Sequence, residues 1–356
     1  MAEDTIRVGF IGAGRNTGLR HIPGLRSQDG VELVGIANRS RESSQRACDQ
    51  FDIPRAYDDW VDLMDDDDID AVCIGTWPYM HRTLTLAALD ADKHVLCEAR
   101  MAMNSAEAHE MLEASQASPH LVTQVVPPPH MLPAERHLID VINDGFLGEI
   151  VHVDLSVYNE SNWPDNETPV HWRHDRDLSG NNVMSMGIWY ENLMRLVGNA
   201  TAVQAQARTI VNWRRAANGD RTPLTIPDQL DIIYSLAGGG TVNFRAATTL
   251  GKFAPPFDLW VYGDDGTIHV TTGGSSTPGG PALLITGGKR GDASMTEIAV
   301  PAEKAGSWRV EEEFINAIRG VEPVTRTNFT DGVKYMEFTD AVQEAWQTGQ
   351  KVTLPL

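Results

Sequence analysis

The chain has 356 residues, of which 42% are hydrophobic, a length that favours two domains and a composition typical of a soluble globular protein. Its formal net charge of −20 argues against nucleic acid or an anionic membrane surface as a partner, since both attract basic proteins. The acidic N-terminus does not resemble a signal peptide and Cys48, Cys73 and Cys97 lack metal-ligand spacing, so we expect reduced thiols in a cytoplasmic protein.

Strand and helix signals alternate over the first 126 residues, which indicates a parallel sheet. The aspartate run at 65–68 is interpreted as a solvated turn rather than a metal site. Three prolines at 127–129 interrupt regular structure, so we predict one domain at 1–126 and a second at 127–356. In the first domain we predict strands at 6–12, 31–37, 71–76, 94–98 and 121–126, and helices at about 17–28, 41–51, 81–91 and 105–116.

The second half of the chain is dominated by β-rich alternation, which favours a largely antiparallel sheet. The predicted fold class is therefore α/β, with an N-terminal parallel-sheet domain and a C-terminal α/β domain built on a large, mainly antiparallel open sheet. Because an open sheet face has to be covered, we expect a homodimer or homotetramer. The predicted strands are 151–158, 202–211, 229–235, 241–247, 259–262 and 267–270, the helices lie near 133–144, 182–197, 307–319 and 330–348, and 271–281 is a glycine-rich loop.

The segment that joins the first strand to its helix carries closely spaced glycines. Gly12 and Gly14 allow a tight turn and a close approach of the backbone to a pyrophosphate, with Arg15 and Asn16 in the same loop. The third glycine comes one position later than in the commonest form, and such a loop is also compatible with a purely structural turn. Its place between a strand and a helix nevertheless favours a dinucleotide-binding site.

The end of the second strand should contact the adenosine ribose of a bound dinucleotide. An acidic residue there favours NAD, but this chain has Asn38, Arg39, Ser40 and Arg41. The segment has no carboxylate that would repel a 2′-phosphate, and its two guanidinium groups could bind one. NADP is therefore the favoured cofactor, and NAD remains possible. The alternative is that both arginines are solvent-facing residues at a helix start.

Two other predicted strand ends carry polar or aromatic side chains where parallel-sheet proteins place functional groups. Thr76, Trp77 and His81 follow the third strand. Glu98, Ala99 and Arg100 follow the fourth, so that an acid and a base share one turn. We expect Thr76, Trp77, His81 and Glu98 to contact the cofactor.

With these features in place, the sequence resembles the Gfo/Idh/MocA family, named for glucose-fructose oxidoreductase, inositol dehydrogenase and a rhizopine-catabolism protein. The resemblance implies an N-terminal Rossmann domain, a C-terminal α/β domain and an NAD(P)-dependent oxidoreductase of sugars, cyclitols or related hydroxy compounds. A minority of the family uses a retained nicotinamide for redox-neutral elimination or hydrolysis. The segments that carry the likeness are "VGFIGAG", "VELVGIANRS", "DIDAVCIGTWPYMH", "ALDADKHVLCEARMA", "INDGFLGEI", "SGNNVMSMGIW", "WVYGDDGTIHV" and "EEEFINAIRGVEPVT".

The resemblance fails at the usual catalytic residues. The family's Glu-Lys-Pro turn has Ala99 in place of lysine and Arg100 in place of proline. A second motif, which carries an aspartate and a histidine four residues apart on one helix, has Ser185 and Trp189. Trp77 stands where the family has a small or polar residue, and we expect it to lie against the nicotinamide or to narrow the cleft.

The remaining polar groups provide candidates for the missing roles. Arg100 can stabilise an alkoxide but does not readily release a proton, so proton transfer would pass to another group. The resemblance places Arg173 beside the substrate cavity, where it could bind an anionic substrate together with Arg100, unless an acid in its own domain pairs with it. The candidates for proton transfer are Tyr190, His174, Tyr79 and His130, and the substrate-binding candidates are Arg173, Trp172, Ser185, Trp189, Asn192 and His130.

The sequence thus leaves three hypotheses of function. The favoured one is an NADP-preferring oxidoreductase of a small polyol, sugar or hydroxy-carbonyl compound. The second is a redox-neutral lyase or isomerase that retains its nicotinamide, because the usual lysine, aspartate and histidine are absent together. The third is a non-catalytic NADP-binding protein.

Overall fold

The structure is a computed structural model that describes residues 5–158, 161–216, 218–253, 255–272 and 283–356. Its strands are β1 Ile6–Ile11, β2 Val31–Ala37, β3 Arg55–Ala56, β4 Ala71–Ile74, β5 His94–Cys97, β6 Thr123–Val125, β7 Ile150–Val157, β8 Ala200–Arg208, β9 Trp213–Arg215, β10 Arg221–Pro223, β11 Gln229–Leu236, β12 Thr241–Ala247, β13 Phe257–Gly263, β14 Gly266–Thr272, β15 Leu283–Lys289, β16 Thr296–Glu297 and β17 Val352–Thr353. Its α-helices are α1 Ile22–Arg26, α2 Arg41–Phe51, α3 Trp60–Met64, α4 His81–Asp90, α5 Ser105–Ala117, α6 Glu135–Asn143, α7 Arg176–Ser179, α8 Met186–Val197, α9 Val310–Ile318 and α10 Phe329–Thr348. The predicted loop at 271–281 lies outside the described residues from 273 onward.

The first compact unit comprises the chain up to Pro127 together with Arg309–Met336. Its six strands lie in the order β3-β2-β1-β4-β5-β6 and all pair in parallel, as predicted from the alternation of strands and helices. Every residue of β4 is buried, because helices pack on both faces of a sheet of this kind. This strand order brings the carboxyl ends of β1, β2, β4 and β5 to one edge of the sheet.

The return of residues 309–336 to the first unit was not part of the predicted division at 126/127. Val125 and Thr327 exchange two backbone hydrogen bonds of 2.9 and 3.1 Å beside β6. Buried Gln124 donates to the carboxylate of Glu313 on α9 at 3.0 Å. Contacts between segments so distant in sequence leave no trace in local hydrophobic periodicity, which is why a single boundary was expected.

The second compact unit comprises Pro128–Trp308 and Glu337–Leu356. Nine strands form one sheet in the order β16-β15-β14-β13-β7-β12-β11-β8-β17. The predicted large sheet is confirmed as mainly antiparallel, with β7 and β12 running in parallel. Helix α8 covers one face, where Trp189 stacks on Phe257 of β13 and Tyr190 meets Tyr234 of β11 edge to face.

The opposite face of the nine-stranded sheet carries half-exposed aromatic side chains. Trp260 stacks on His269 at a centroid distance of 3.9 Å and on Tyr262 at 5.8 Å. His152 of the neighbouring β7 stacks against Tyr262 at 6.2 Å. Because side chains alternate between the faces of a strand, this surface follows directly from the buried alternate positions Phe257, Leu259 and Val261.

Two smaller features complete the fold. The aspartate run at 65–68 is a turn, as interpreted, in which Asp66 and Asp68 pair with Arg55 at 2.8 and 2.7 Å. Within the described ranges, no helix combines the length and the hydropathy that crossing a lipid bilayer requires. Several short elements were not predicted because they carry too few residues for a periodic signal: β3, α3, β9, β10, β16 and β17. Strand β15, which follows the glycine-rich segment, was not predicted either.

Candidate dinucleotide site

The glycine loop after β1 has one glycine that the fold itself requires and one that it does not. Gly12 has a φ of +86°, and a Cβ there would lie 2.8 Å from the backbone nitrogen of Thr76. A Cβ at Gly14 would have no neighbour closer than the carbonyl oxygen of Gly75 at 4.0 Å. The backbone at Gly14 therefore borders open space, which suits the close approach of a phosphate group. Arg15, next in the loop, is exposed.

The end of β2 is organised by Asn38. Its Oδ1 accepts a hydrogen bond from the backbone nitrogen of Ala13 at 2.8 Å, and its Nδ2 donates to the carbonyl oxygen of Ser43 at 3.1 Å. Asn38 thus connects the glycine loop to helix α2. Ser40 is the N-cap of α2, since its hydroxyl accepts from the backbone nitrogen of Ser43. This strand end contains no carboxylate.

The two arginines of this segment have different surroundings. Arg41 donates to Asp58 at 3.1 Å and to the carbonyl oxygen of Ala56, so its guanidinium is already paired. Arg39 is exposed, and within the described residues its guanidinium contacts only Trp77, whose ring centroid lies 5.8 Å away. We expected the guanidinium groups of both arginines to be available for a phosphate. The structure leaves that of Arg39 available, because that of Arg41 is already paired. Trp77 lies beside Arg39, and its expected place against the nicotinamide or at a narrowing of the cleft stays a prediction.

The end of β5 belongs to a buried ionic cluster that the sequence did not predict. His21 Nδ1 lies 2.6 Å from Glu311 and its Nε2 lies 2.9 Å from Glu98. The three side chains are 0%, 4% and 13% exposed in the order His21, Glu311, Glu98. Asn16 donates to the same oxygen of Glu98, and the backbone nitrogen of Ala99 donates to its other oxygen at 3.1 Å.

The cluster holds a positive imidazolium between two carboxylates. Burial by itself lowers the pKa of His21, but the hydrogen bonds and charges of Glu311 and Glu98 outweigh burial and raise this pKa to about 9. Burial likewise favours a raised pKa for Glu98, yet the hydrogen bond and charge of His21 reverse the effect and lower it. At neutral pH the strand end therefore carries an ionised carboxylate in a fixed position.

His81 connects the ends of β4 and β5 rather than facing outward. Its side chain is fully buried, with Nδ1 2.6 Å from the carbonyl oxygen of Arg100 and Nε2 3.1 Å from that of Thr76. Burial lowers the pKa of this imidazole. His81 is therefore placed to hold two loops together, and the expected direct contact with a cofactor does not fit its burial. Arg100 itself is 3% exposed and follows a cis peptide bond.

In the second unit, Tyr190 lies in the hydrophobic core. It is 2% exposed, its ring stacks on Phe338 at 3.8 Å, and its hydroxyl accepts from the backbone nitrogen of Ala200 at 3.0 Å. Burial raises the pKa of the phenol to about 12. These surroundings favour packing over the proton-transfer role that we considered for Tyr190.

Trp189, at the position where the family resemblance implies a histidine, is also packed. Its ring is 4% exposed and lies between His130 at 4.0 Å and Phe257 at 5.3 Å. His130 is half-buried, and burial lowers its pKa to about 4. At neutral pH His130 is consequently an uncharged imidazole that covers one face of a tryptophan.

The segment His171–His174 forms a single 3₁₀ turn. Nδ1 of His174 accepts from the backbone nitrogen of His171 at 3.1 Å, and the guanidinium of Arg173 lies over the ring of Trp172 at 4.3 Å. Burial, followed by the charge of Arg214, lowers the pKa of His174 to about 4. His174 is therefore uncharged at neutral pH and takes part in the turn through one nitrogen.

Two further candidates belong to helix α8, one at its start and one within it. Ser185, with a φ of +58°, immediately precedes the helix. Asn192 is 2% exposed and donates to the carbonyl oxygen of Ile188 at 3.4 Å, while its Oδ1 has no hydrogen-bond partner in the described part of the chain. Tyr79, on the 3₁₀ turn after β4, is 41% exposed. The structure thus places the cofactor candidates along one sheet edge of the first unit and the substrate candidates in the second.

Sequence reasoning missed His21 and Glu311. His21 lay within the helix predicted at about 17–28, and Glu311 within the helix predicted near 307–319, without any assigned role. Two features could have pointed to these residues. His21 lies one helical turn after Thr17 on the buried side of its helix, and three successive glutamates, 311–313, lie on a helix with a buried face. The two residues are 290 positions apart in sequence, so no local pattern could have paired them.

Comparison with known proteins agrees with this architecture. The family model described as "Oxidoreductase family, NAD-binding Rossmann fold" of the GFO_IDH_MocA group matches residues 6–125. The model of the GFO/IDH/MocA C-terminal domain matches residues 136–269. The two matches together cover more than half of the chain.

Individual relatives are distant. The chain is 24% identical to an uncharacterized oxidoreductase, ORF334, of Rhizobium meliloti over 99% of its own length and 100% of that protein. It is 29% identical to inositol 2-dehydrogenase of Salmonella typhimurium, over 46% of the chain and 49% of that enzyme, so this alignment spans about half of each protein. The solved structure of levoglucosan dehydrogenase in complex with NADH and levoglucosan has a TM-score of 0.84 at 20% identity, covering 99% of this chain and 100% of that one.

The ionic cluster predicts how stability depends on pH. Because the pKa of His21 is raised by folding, its contribution is fully present below about pH 6.5 and is lost as the pH rises through about 9, which amounts to roughly 3 kcal/mol in the free energy of unfolding. Urea denaturation at pH 6, 7, 8 and 9 measures this loss. We expect His21→Asn to remove most of the slope.

The control is His120→Asn, which changes an exposed histidine that pairs with Asp92 on the surface. This variant should keep the slope of the unaltered protein. Equal slopes in the unaltered protein and in His21→Asn would contradict a protonated His21 between two carboxylates.

Proposed function

Since the chain belongs to the Gfo/Idh/MocA family of NAD(P)-dependent oxidoreductases, we propose that it oxidises or reduces a small polyol, sugar or hydroxy-carbonyl compound with NADP as its cofactor. The observation that carries the proposal is the sheet edge of the first unit. There the exposed backbone at Gly14 and the acid-free strand end at Asn38 adjoin one exposed arginine, Arg39. NADP would supply hydride transfer at its nicotinamide.

The preference for NADP rests on Arg39. Among the described residues this guanidinium makes no ion pair, although the chain carries 49 acidic residues against 29 basic ones. An unpaired guanidinium beside an aromatic ring suits a 2′-phosphate with the adenine close to Trp77. The related levoglucosan dehydrogenase structure contains NADH, so a preference for NADP would distinguish this chain from that relative.

The substrate class is proposed from the relatives and from the polar groups that replace the usual catalytic set. Inositol 2-dehydrogenase and levoglucosan dehydrogenase are named for a cyclitol and a sugar anhydride. Arg100 is the proposed group for polarising the reacting oxygen, and Arg173 is proposed to accommodate an anionic substituent. With Tyr190 in the core, proton acceptance during alcohol oxidation is assigned to an uncharged histidine, His130 or His174.

The cofactor assignment predicts a selective effect of one arginine. Arg39→Gln should weaken NADPH binding by about 10- to 100-fold, because a charge-assisted contact with the 2′-phosphate is lost, and should leave NADH binding nearly unchanged. Fluorescence titration with both nucleotides provides the measurement. The matched control is Arg41→Gln, which removes a neighbouring guanidinium that is already paired with Asp58 and should change neither affinity by more than about twofold.

Equal losses for NADPH and NADH in Arg39→Gln would contradict the phosphate contact. Failure of the unaltered protein to bind either nucleotide would overturn the enzyme proposal itself.

Turnover distinguishes the proposed dehydrogenase from a redox-neutral enzyme. With a panel of polyols, aldoses and aldonates and added NADP⁺, we expect a rise in absorbance at the reduced-nicotinamide band that depends on substrate. For the best substrate, Arg100→Ala should lower kcat/KM by about 100-fold or more with NADPH affinity preserved, and Arg100→Lys should recover only part of the loss. Conversion of a sugar without any change in absorbance would instead identify a lyase or isomerase that retains its cofactor.

The open face of the nine-stranded sheet supports the proposed homodimer or homotetramer. A second copy of the chain would cover the stacked Trp260, Tyr262 and His269, and a self-complementary interface is the common solution for such a surface. Sedimentation velocity at micromolar concentration should show a dimer or tetramer. Trp260→Glu should shift the protein toward monomer, whereas Leu19→Glu, at an exposed position of the first unit, should not. A monomer in the unaltered protein would refute the assembly.

A further inference from the structure

The carboxylate of Glu98 occupies a special place in the first unit. In an open sheet with the order observed here, a dinucleotide lies across the carboxyl ends of the strands, with its adenosine half near β2 and its second half near β4 and β5. Glu98 directly follows β5, and its carboxylate is bonded to Asn16 of the glycine loop. Its charge is therefore fixed on the side of the nicotinamide half.

The charge of Glu98 is only partly balanced by its histidine partner. His21 lies between two carboxylates, so that Glu98 shares its hydrogen-bonded imidazolium with Glu311. The side chains of all three are largely removed from water, and solvent therefore screens them less than surface charges. Hydrogen bonds from Asn16 and from the backbone nitrogen of Ala99 keep the carboxylate of Glu98 from turning away.

The two oxidation states of NADP differ in charge at one place. The nicotinamide ring is positive when oxidised and neutral when reduced, whereas the phosphates are the same in both forms. A fixed negative charge near the ring therefore stabilises the oxidised form selectively, and its effect on the phosphates cancels when the two forms are compared.

We propose that Glu98, held by His21 and Glu311, shifts the oxidation-state preference of the bound cofactor toward NADP⁺. This inference rests on the proposed function, because it requires the dinucleotide to lie in the first unit. Because the oxidised form is stabilised on the protein, bound NADPH becomes a stronger hydride donor, which favours carbonyl reduction over alcohol oxidation. Arg100, two residues after Glu98, carries the opposite charge. Because Arg100 is present in every variant compared below, its effect cancels when their dissociation constants are compared.

The test compares the ratio of two dissociation constants, Kd for NADPH divided by Kd for NADP⁺, measured by isothermal titration calorimetry. Glu98→Gln keeps the size of the side chain and removes its charge, and it should lower this ratio by about fivefold or more, as expected for loss of one charge several ångströms from the ring. Glu311→Gln should shift the ratio in the same direction by a smaller factor. The control is Glu313→Gln, which removes another buried carboxylate of α9, bonded to Gln124 and Thr325, and should leave the ratio within about twofold.

A ratio that stays within about twofold in Glu98→Gln would overturn the inference while leaving NADP binding intact. If Glu98→Gln does not fold, Glu311→Gln decides, and an unchanged ratio there has the same meaning. Absence of binding of either nucleotide to the unaltered protein would overturn the proposed function and this inference together, so the two failures are distinguishable.

Discussion

A protonated histidine between two carboxylates joins three parts of the first unit that are far apart in sequence. His21 belongs to the helical segment after the glycine loop, Glu98 ends β5, and Glu311 lies on α9, in the part of the chain that returns to this unit. A buried ion pair of this kind has to be complete, because removing one member leaves an uncompensated charge in a region with little water. The strand-end turn that begins at Glu98 is therefore joined to α9 by a buried interaction that also includes the segment after the glycine loop.

Much of the fold could be predicted because its signals are local. The predicted bounds of β2, 31–37, and the approximate bounds of α2, 41–51, agree with the structure, since a short apolar run and the helix that follows it give local signals. The site along the sheet edge was likewise recognisable from the glycines at 12 and 14. The ionic cluster and the return of 309–336 could not be predicted, because their partners are brought together only by the tertiary fold.

Individual side chains proved harder to predict than elements. Arg41 and Arg39 have the same chemistry and similar positions in sequence, yet Asp58 pairs with the first and leaves the second exposed. Tyr190 has a reactive group, but its ring packs on Phe338 and its hydroxyl bonds to backbone. Residue type thus defines what a side chain can do, whereas burial and partners decide whether it is available.

Two positions at which the family resemblance implies other residues have a consistent physical description. Trp189, at one motif position, fills an aromatic stack between His130 and Phe257, and Ala99, at another, contributes a backbone nitrogen to the carboxylate of Glu98. Trp189 thus extends the core of the second unit. At Ala99, the ionised carboxylate of Glu98 is the charged group that is held in a fixed position in the turn. The first unit keeps the NAD-binding Rossmann fold of the family.

A crystal structure of the protein grown with NADP⁺ tests the assignment of the site most directly. We expect the diphosphate against the backbone of Gly12–Gly14, the 2′-phosphate within hydrogen-bonding distance of Arg39, and the nicotinamide half on the side of Glu98. A cofactor bound with its 2′-phosphate away from Arg39, or with its nicotinamide half remote from β5, would contradict the assignment.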